Sequence, residues 1–197
     1  MPNNDIKYDI AKKRAVEIAR QTKKAIYWCP AKDYVSTEAL LDEPTLPEKK
    51  LDWLQRHDQE SGKLYGMLPL FEGLLVCRTD HIDRNPDKNL LRGRKGRVVG
   101  WELDEREPVQ EATGDVILHY LPKVVYVEFM NPNDSKPKWK LPGCTRRGVY
   151  PVAHTNGTWF LDRRLLQPKL KIKRQQMPLA PAFAMTANAS QGQTLSE

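Results

Sequence analysis

Cationic side chains are concentrated in one part of the 197-residue chain. Positions 136–174 hold eleven lysines and arginines and one acid, Asp162, which gives this segment a formal charge of +10 against +7 for the whole chain. A basic excess confined to one segment is typical of a surface that binds a polyanion. Trp139 and Trp159 lie in the same segment and could stack on bases, although tryptophan in a small β domain is more often core. Nucleic acid is the favoured partner, and a basic surface that serves only solubility is the alternative.

The cysteines and histidines do not indicate a metal site or a disulfide framework. The three cysteines are odd in number and far apart, and no two of them have metal-ligand spacing. The four histidines are equally scattered. We therefore expect structural thiols, ordinary histidines and no metal ligand.

Length and composition are those of a globular protein. A chain of 22.7 kDa that is 40% hydrophobic can bury the core of one good-sized domain or two small ones. The sequence contains no run of 18 apolar residues, and its first residues lack the layout of a secretory signal. These features predict a soluble intracellular protein without a membrane partner.

The first segment, "NNDIKYDIAKKRAVEIARQTKKA", has the periodicity of an amphipathic helix. Its apolar residues recur at steps of three and four, which predicts that they face a core: Ile6, Ile10, Ala11, Ala15, Ile18 and Ala19. The run "AIYWC" then predicts a short strand that ends at Pro30. A helix followed by a strand is half of an α/β unit.

The polar segment from Tyr34 to Gly66 predicts a connector with one helix. Pro47 suits the first turn of that helix, and Leu51 and Leu54 would be its buried residues.

Short β-like runs separated by turn signals fill the middle of the chain. They are "GLLVCRTDHI", "RKGRVVGWEL", "DVILHYL", "VVYVEFM", "GVYPVAH", "TWFLD" and "KLKIKRQQ". Asn156-Gly157 is the strongest hairpin signal among the turns. Many short strands with frequent turns predict a small β-barrel or sandwich, and the basic segment forms its second half.

The chain closes with an apolar strand, "AFAMT", and a polar loop, "ANASQGQT". Neither flanking α/β portion is large enough to enclose a core alone. The order therefore predicts an α/β fold that is interrupted by a small β insert.

The closing segment, "MPLAPAFAMTANASQGQTL", resembles a motif of superfamily-one B helicases, especially the Pif-type and RecD-like DNA helicases. That motif reads "PL-x-x-A-(F/Y/W)-A-(I/M)-T-x-H-K-(S/A)-Q-G-x-T". The match has no gap and includes Pro178, Leu179, Ala182, Phe183, Ala184, Met185, Thr186, Ser190, Gln191, Gly192 and Thr194. Asn188 and Ala189 stand where the family usually has histidine and lysine.

Upstream segments are also similar to this family. "LPLFEGLLVCRTDHIDRNPDKNLLRGRKGRVVGW" is similar to the start of its SH3-like insert, called 2B, and "LPKVVYVEF" and "RRGVYPVAH" are similar to later strands. The N-terminal helix and "IYWCPAKD" look like the start of the second RecA-like domain, called 2A. The resemblance implies a partial RecA-like domain of P-loop NTPase type at 1–66 and 178–197, interrupted by an SH3-like β-barrel at 67–177.

The resemblance also implies which residues bind single-stranded DNA. In such helicases the loop after the apolar strand binds phosphates and faces the ATP cleft. The resemblance therefore implies DNA contacts for Thr186, Asn188, Ser190, Gln191 and Gly192. It also implies a nucleotide contact for Gly192 and Gln193. The basic part of the insert adds Arg146, Arg147, Lys169, Lys171, Lys173 and Arg174. If about six cations contact phosphates, log affinity falls against log salt with a slope of about −4.

The sequence contains no "GxxxxGK(S/T)" phosphate loop and no assignable Walker-B acid. The resemblance therefore implies a fragment of a five-prime-to-three-prime DNA helicase that needs ATP, Mg²⁺ and an N-terminal RecA-like motor domain of the same full-length chain. We expect no catalytic residue here and no ATP hydrolysis by the fragment alone. The family context implies a nuclear or other DNA-containing compartment and roles in DNA repair, recombination and telomere maintenance. Two alternatives stay open: a stand-alone SH3-like nucleic-acid-binding module, and a relic that folds poorly.

Overall fold

A computed structural model describes residues 4–35, 46–56, 58, 60–80, 88, 90–109, 114–131, 137–161 and 170–183. The described helices are α1 (Asn4–Gln21) and α2 (Leu46–Trp53). The described strands are β1 (Tyr27–Pro30), β2 (Lys32–Tyr34), β3 (Met67–Leu70), β4 (Leu75–Arg78), β5 (Lys95–Glu102), β6 (Val116–Ile117), β7 (Val124–Phe129), β8 (Val149–Val152), β9 (Thr155–Phe160), β10 (Lys171–Gln176) and β11 (Leu179–Pro181).

The described strands form three sheets. One has the order β3-β1-β6, and β6 pairs parallel to β1. A second, which we call the basic sheet, has the order β2-β10-β9 and is antiparallel throughout. The five-stranded sheet has the order β11-β4-β5-β7-β8 and is also antiparallel. Each sheet combines strands that are far apart in the sequence.

Small side chains let α1 pack closely against the sheets. Ala11, Ala15 and Ala19 recur every four residues, and none is more than 3% exposed. Tyr8 extends this buried face, and its ring stacks on Tyr65 with centroids 4.2 Å apart. Ile6 and Ile10 are wrongly predicted as core residues, since 57% and 50% of their surfaces are exposed.

Alternation along the strands builds the main core. In β7, Val125, Val127 and Phe129 are fully buried, and the residues between them are half-buried. The main core combines these side chains with Leu68 and Leu70 of β3 and with residues of α1, β1, β4, β5, β8 and β11. A smaller apolar cluster lies under the basic sheet and consists of Trp53, Trp159 and Ile172.

Helix α2 is present, but the side of the helix that is buried is not the predicted one. Leu51 is 73% exposed, whereas Trp53 is 2% exposed and contacts Trp159 edge to face. The sequence-based expectation of a buried Leu51 is wrong because the aromatic ring is the larger apolar surface available to the small cluster.

The prediction of a hairpin turn at Asn156-Gly157 is also wrong, because both residues lie inside β9 and pair with β10. Gly157 faces a second segment of backbone. A Cβ atom at this position would lie 2.6 Å from the carbonyl oxygen of Gly62, so the glycine permits close approach of two chain segments.

The described part of the chain is a mixed α/β structure that consists mainly of sheet, and its sheets form no closed barrel. The SH3-like form of the insert stays a prediction. Strands within 67–177 pair with β1 and β2, which precede the predicted insert, and with β11, which follows it. The boundaries at 66/67 and 177/178 also stay predictions.

Candidate nucleic-acid interface

The central strand of the basic sheet, β10, has one exposed and one buried side. Lys171 and Lys173 are exposed, whereas Ile172, Arg174 and Gln176 are buried. Because successive side chains of a strand point to opposite faces, the two lysines share one face of the sheet. That face is open to solvent, and the other covers the small apolar cluster.

The register of the basic sheet places polar and aromatic residues beside these lysines. Lys173 lies between Tyr34 of β2 and Thr158 of β9, and Lys171 lies opposite Phe160. Directly opposed residues of antiparallel strands project from the same face. We call this set the basic face: Tyr34, Thr158, Phe160, Lys171 and Lys173.

The basic face carries side chains of the kinds that can contact single-stranded nucleic acid. Its lysines offer ammonium groups for phosphates, and Thr158 offers an exposed hydroxyl. The Tyr34 side chain is 52% exposed and provides a ring on which a base can stack. Contacts of these kinds do not depend on base identity.

Hydrogen bonds fix side chains at the margin of this face. Lys32 Nζ donates to the carbonyl oxygen of His119 at 2.6 Å, and Gln175 lies 3.2 Å from the His154 ring nitrogen. Arg106 is held by Asp104, with two guanidinium nitrogens 2.8 and 2.9 Å from its carboxylate oxygens. The hydrogen bond to Asp104 is the main reason that the pKa of Arg106 is raised, and Tyr120 and Tyr34 contribute less.

Arg174 does not belong to the basic face, and its predicted phosphate contact is corrected. Its side chain is fully buried and forms a bidentate ion pair with Asp33, with nitrogen–oxygen distances of 2.8 and 2.7 Å. It also donates to the carbonyl oxygens of Trp53 at 2.8 Å and Leu64 at 3.4 Å. The strand alternation that exposes the two lysines turns Arg174 inward.

Arg146 and Arg147 lie before β8, next to the five-stranded sheet. Both are exposed, and Arg146 Nη2 lies 2.8 Å from Glu128 Oε2. They are therefore attached to a different sheet from the two lysines.

The remaining predicted site residues lie outside the described part of the chain. They are Lys169, Thr186, Asn188, Ser190, Gln191, Gly192 and Gln193. Their roles stay predictions.

The two tryptophans of the basic segment serve mainly as packing groups. Trp159 is 4% exposed and belongs to the small apolar cluster, and Trp139 is half-buried against Tyr150. The exposed ring is that of Tyr34, which sequence reasoning did not select. The alternation "KDY" was the available signal, but three residues are too short to distinguish a strand from a connector.

A groove of about 720 Å³ runs beside the outer strand β9. Its lining includes Asn156 and Thr158 of the strand, Glu60 and Lys63 of the connector, and Asp80 after β4. Because both signs of charge are present, the groove is less suited to phosphates than the basic face is.

Within the described ranges, no three histidine, cysteine or acidic side chains come together as a metal site. None of the described helices is long and apolar enough to cross a membrane. Burial raises the pKa of the Cys29 thiol, which therefore stays protonated and unreactive.

The chain is similar in fold to part of a solved helicase structure. Pif1 helicase from Candida albicans superposes with a TM-score of 0.54 and 20% identity over 96% of this chain, which spans 36% of the helicase chain. A Pif1 structure solved to explain DNA unwinding at forked double-stranded DNA matches 91% of this chain over 29% of the Pif1 chain, with a TM-score of 0.42 and 15% identity. Bacteroides sp. Pif1 in complex with ADP-AlF4 matches 91% of this chain over 30% of the Pif1 chain, with a TM-score of 0.40 and 16% identity. No protein-family profile matches the sequence, and no curated protein is similar to it.

Proposed function

We propose that the chain contributes single-stranded DNA binding to a Pif-type, ATP-dependent DNA helicase. The observation that carries the proposal is the basic face, where Lys171, Lys173 and Tyr34 lie together on one exposed sheet surface. The fold shared with part of the Candida albicans helicase, together with the helicase-like motif at 178–194, supports the same proposal.

The basic face would hold a strand by its backbone and by one stacked base. The two lysines lie on the same side of β10, and so they can contact successive phosphates of an extended strand. Stacking on Tyr34 would orient the strand without selecting a sequence. A motor that moves along DNA needs this kind of sequence-tolerant contact.

The rest of the motor function follows from the motif resemblance. Thr186, Ser190, Gln191 and Gly192 would present hydroxyl, amide and backbone donors to phosphates, and Gly192 and Gln193 would face the nucleotide. ATP and Mg²⁺ would be used by the full-length enzyme with its N-terminal motor domain. A phosphate-loop motif upstream in the same reading frame, and an arginine motif downstream, would distinguish this assignment from a stand-alone binding module.

Salt dependence tests whether the basic face binds phosphates. We expect log affinity for a labelled single strand to fall against log salt with a slope of about −4 for the unaltered chain. Combining Lys171→Gln with Lys173→Gln should reduce the steepness by about 1.4, because each phosphate contact contributes about 0.7. Fluorescence anisotropy titrations at several salt concentrations measure both slopes.

The matched control removes two exposed lysines elsewhere, with Lys13→Gln and Lys23→Gln on and just after α1. These changes should leave the slope unaltered. Equal effects of the two double variants would show that only net charge matters and would contradict a localised binding face.

Replacement of Tyr34 by alanine tests base stacking. We expect binding to weaken by about 1–3 kcal/mol, the range measured for loss of one stacked base. Tyr34→Phe keeps the ring and should bind within about twofold of the unaltered chain, because the hydroxyl is not needed for stacking. Equal weakening by both substitutions would point to the hydroxyl and reject the stacking contact.

A further inference from the structure

One arginine of the five-stranded sheet is buried, and two of its side-chain nitrogens have no hydrogen-bond partner among the described residues. Arg78 lies at the end of β4 and is 3% exposed. Its Nε and Nη1 atoms are inaccessible to solvent and make no hydrogen bond to any residue that the structure describes. Within the described ranges, no ion pair joins its guanidinium to an acid. Almost all buried charged groups in proteins are paired, so this one requires an explanation.

A second arginine lies next to it across the sheet. The backbone N–H of Arg78 donates to the carbonyl oxygen of Arg94 at 2.9 Å, and Gly93 N–H donates to the carbonyl oxygen of Arg78 at 2.8 Å. These bonds place Gly93, at a φ of 86°, and Arg94 together opposite Arg78, which is the pattern of a β-bulge at the end of the β4–β5 pairing. Arg94 is two residues before Gly96, which lies opposite Val76, and so it lies on the same side of the sheet as Arg78. Two like charges placed opposite each other are unfavourable without an anion between them.

Arg94 is itself only partly satisfied. Its Nη2 donates to Asn131 Oδ1 at 3.0 Å, but its Nε is buried without an acceptor. The two guanidinium groups thus present three buried nitrogen atoms that have no acceptor in the described part of the chain.

The surroundings do not neutralise this pair. On the other side of β4, Leu179 of β11 lies opposite Arg78, and a leucine side chain offers no hydrogen-bond acceptor. Burial lowers the pKa of Arg78 to about 10, and the nearby Asp80 offsets this only in part, so the guanidinium still carries its charge at neutral pH. Forked N–H donors that lack an acceptor match the oxygens of a phosphate group.

We propose that Arg78 and Arg94 form a phosphate-binding subsite for the backbone of a single-stranded nucleic acid at this end of the five-stranded sheet. The subsite rests on the proposed function, but it involves none of the residues of the basic face. The chain that leads into it is also basic, since Lys88, Arg92 and Lys95 flank Arg94 in the sequence. Their positive potential would attract a strand to this end of the sheet.

The experiment compares Arg78→Leu with Arg97→Leu in the full chain. Leucine suits the position because Val76 and Leu179 are its buried neighbours. Arg97 is an exposed arginine on the opposite face of β5 and serves as the matched control. The probe is a labelled oligothymidylate of about twelve nucleotides, within the range of known single-strand site sizes.

Stability and affinity should change in opposite directions in Arg78→Leu. Removal of an unpaired buried charge should raise the melting temperature by about 3 °C, while loss of the phosphate contact should weaken oligothymidylate binding about tenfold. Arg97→Leu should alter affinity by less than about twofold. A lower melting temperature in Arg78→Leu would show a structural role and overturn the proposal, as would an affinity equal to that of Arg97→Leu.

Inorganic phosphate separates the subsite from the wider function. At constant ionic strength, phosphate in place of chloride should raise the melting temperature of the unaltered chain more than that of Arg78→Leu. If phosphate acts in this way but no oligothymidylate binds, the nucleic-acid function fails and the anion site stands. If oligothymidylate binds and phosphate stabilises both chains equally, the function stands and the subsite is rejected.

Discussion

Arg174→Ala is expected to destabilise the protein by about 3–5 kcal/mol, because it leaves the carboxylate of Asp33 buried without its partner. Both side chains are almost completely inaccessible, with 0% of Arg174 and 3% of Asp33 exposed. The substitution also removes the donor for the carbonyl oxygens of Trp53 and Leu64. Urea unfolding followed by tryptophan fluorescence measures the loss, since Trp53 and Trp159 lie beside the ion pair.

A double-mutant cycle with Asp33→Ala isolates the ion pair. We expect Asp33→Ala to cost much less in the Arg174→Ala background than in the unaltered chain, because its partner is already absent. The double variant should still be less stable than the unaltered chain, since the two carbonyl oxygens stay without a donor.

The exposed pair Arg14–Glu17 is the matched control for this cycle. Both side chains are 50% exposed and their charged atoms are 2.6 Å apart. Arg14→Ala should cost no more than about 0.5 kcal/mol, because solvent screens a surface pair within one helix. Similar losses for Arg14→Ala and Arg174→Ala would contradict the role assigned to burial.

Gly66→Ala is expected to cost about 3 kcal/mol or more, at the upper end of overpacking effects. A Cβ atom at Gly66 would overlap the carbonyl oxygen of Leu54, and backbone atoms cannot move aside as a side chain can. The Gly66 carbonyl oxygen also accepts a 2.7 Å hydrogen bond from Ala31 N–H, which fixes the glycine from its other side. At this chain length the loss corresponds to a fall of about 6–12 °C in melting temperature.

Gly114→Ala provides the control for this substitution. Apart from its chain neighbours, no described residue has a heavy atom within 4 Å of a Cβ atom at Gly114, so stability should change by less than about 0.5 kcal/mol. At about 2–4 °C per kcal/mol, a difference of 2 °C corresponds to less than about 1 kcal/mol. A melting temperature of Gly66→Ala within about 2 °C of the control would therefore contradict the expected loss and show that the segment around Leu54 moves aside easily.

The strands of the middle segment could be predicted because their pattern is local. β7 shows why: Val125, Val127 and Phe129 alternate with half-buried residues, and alternation follows from the geometry of a single strand. β2 and β11 have only three residues each and owe their form to partners that lie far away in the sequence. No local pattern could have identified them.

The sequence indicated the exposed lysines of β10, whose binding role stays a prediction, and the placement of Arg174 and Tyr34 depended on the register. The sequence "KIKR" already contained the needed signal, since Arg174 has the same parity as the apolar Ile172 and the opposite parity to the lysines. Local charge alone did not show that Asp33, 141 positions earlier, would accept the guanidinium. The contribution of Tyr34 also needed the β2–β10 pairing, which no local pattern indicates.

The pairing of β2 with β10 sets the order in which the protein can be built during synthesis. Asp33 leaves the ribosome 141 residues before Arg174 does, an interval of roughly 7–28 s at common elongation rates. Until then the edge of β2 has no strand to pair with, and Trp53 has neither Trp159 nor Ile172 to cover it. This part of the fold can therefore form only after residue 174 has been translated, and the edge of β2 and the Trp53 ring lack these partners during that interval.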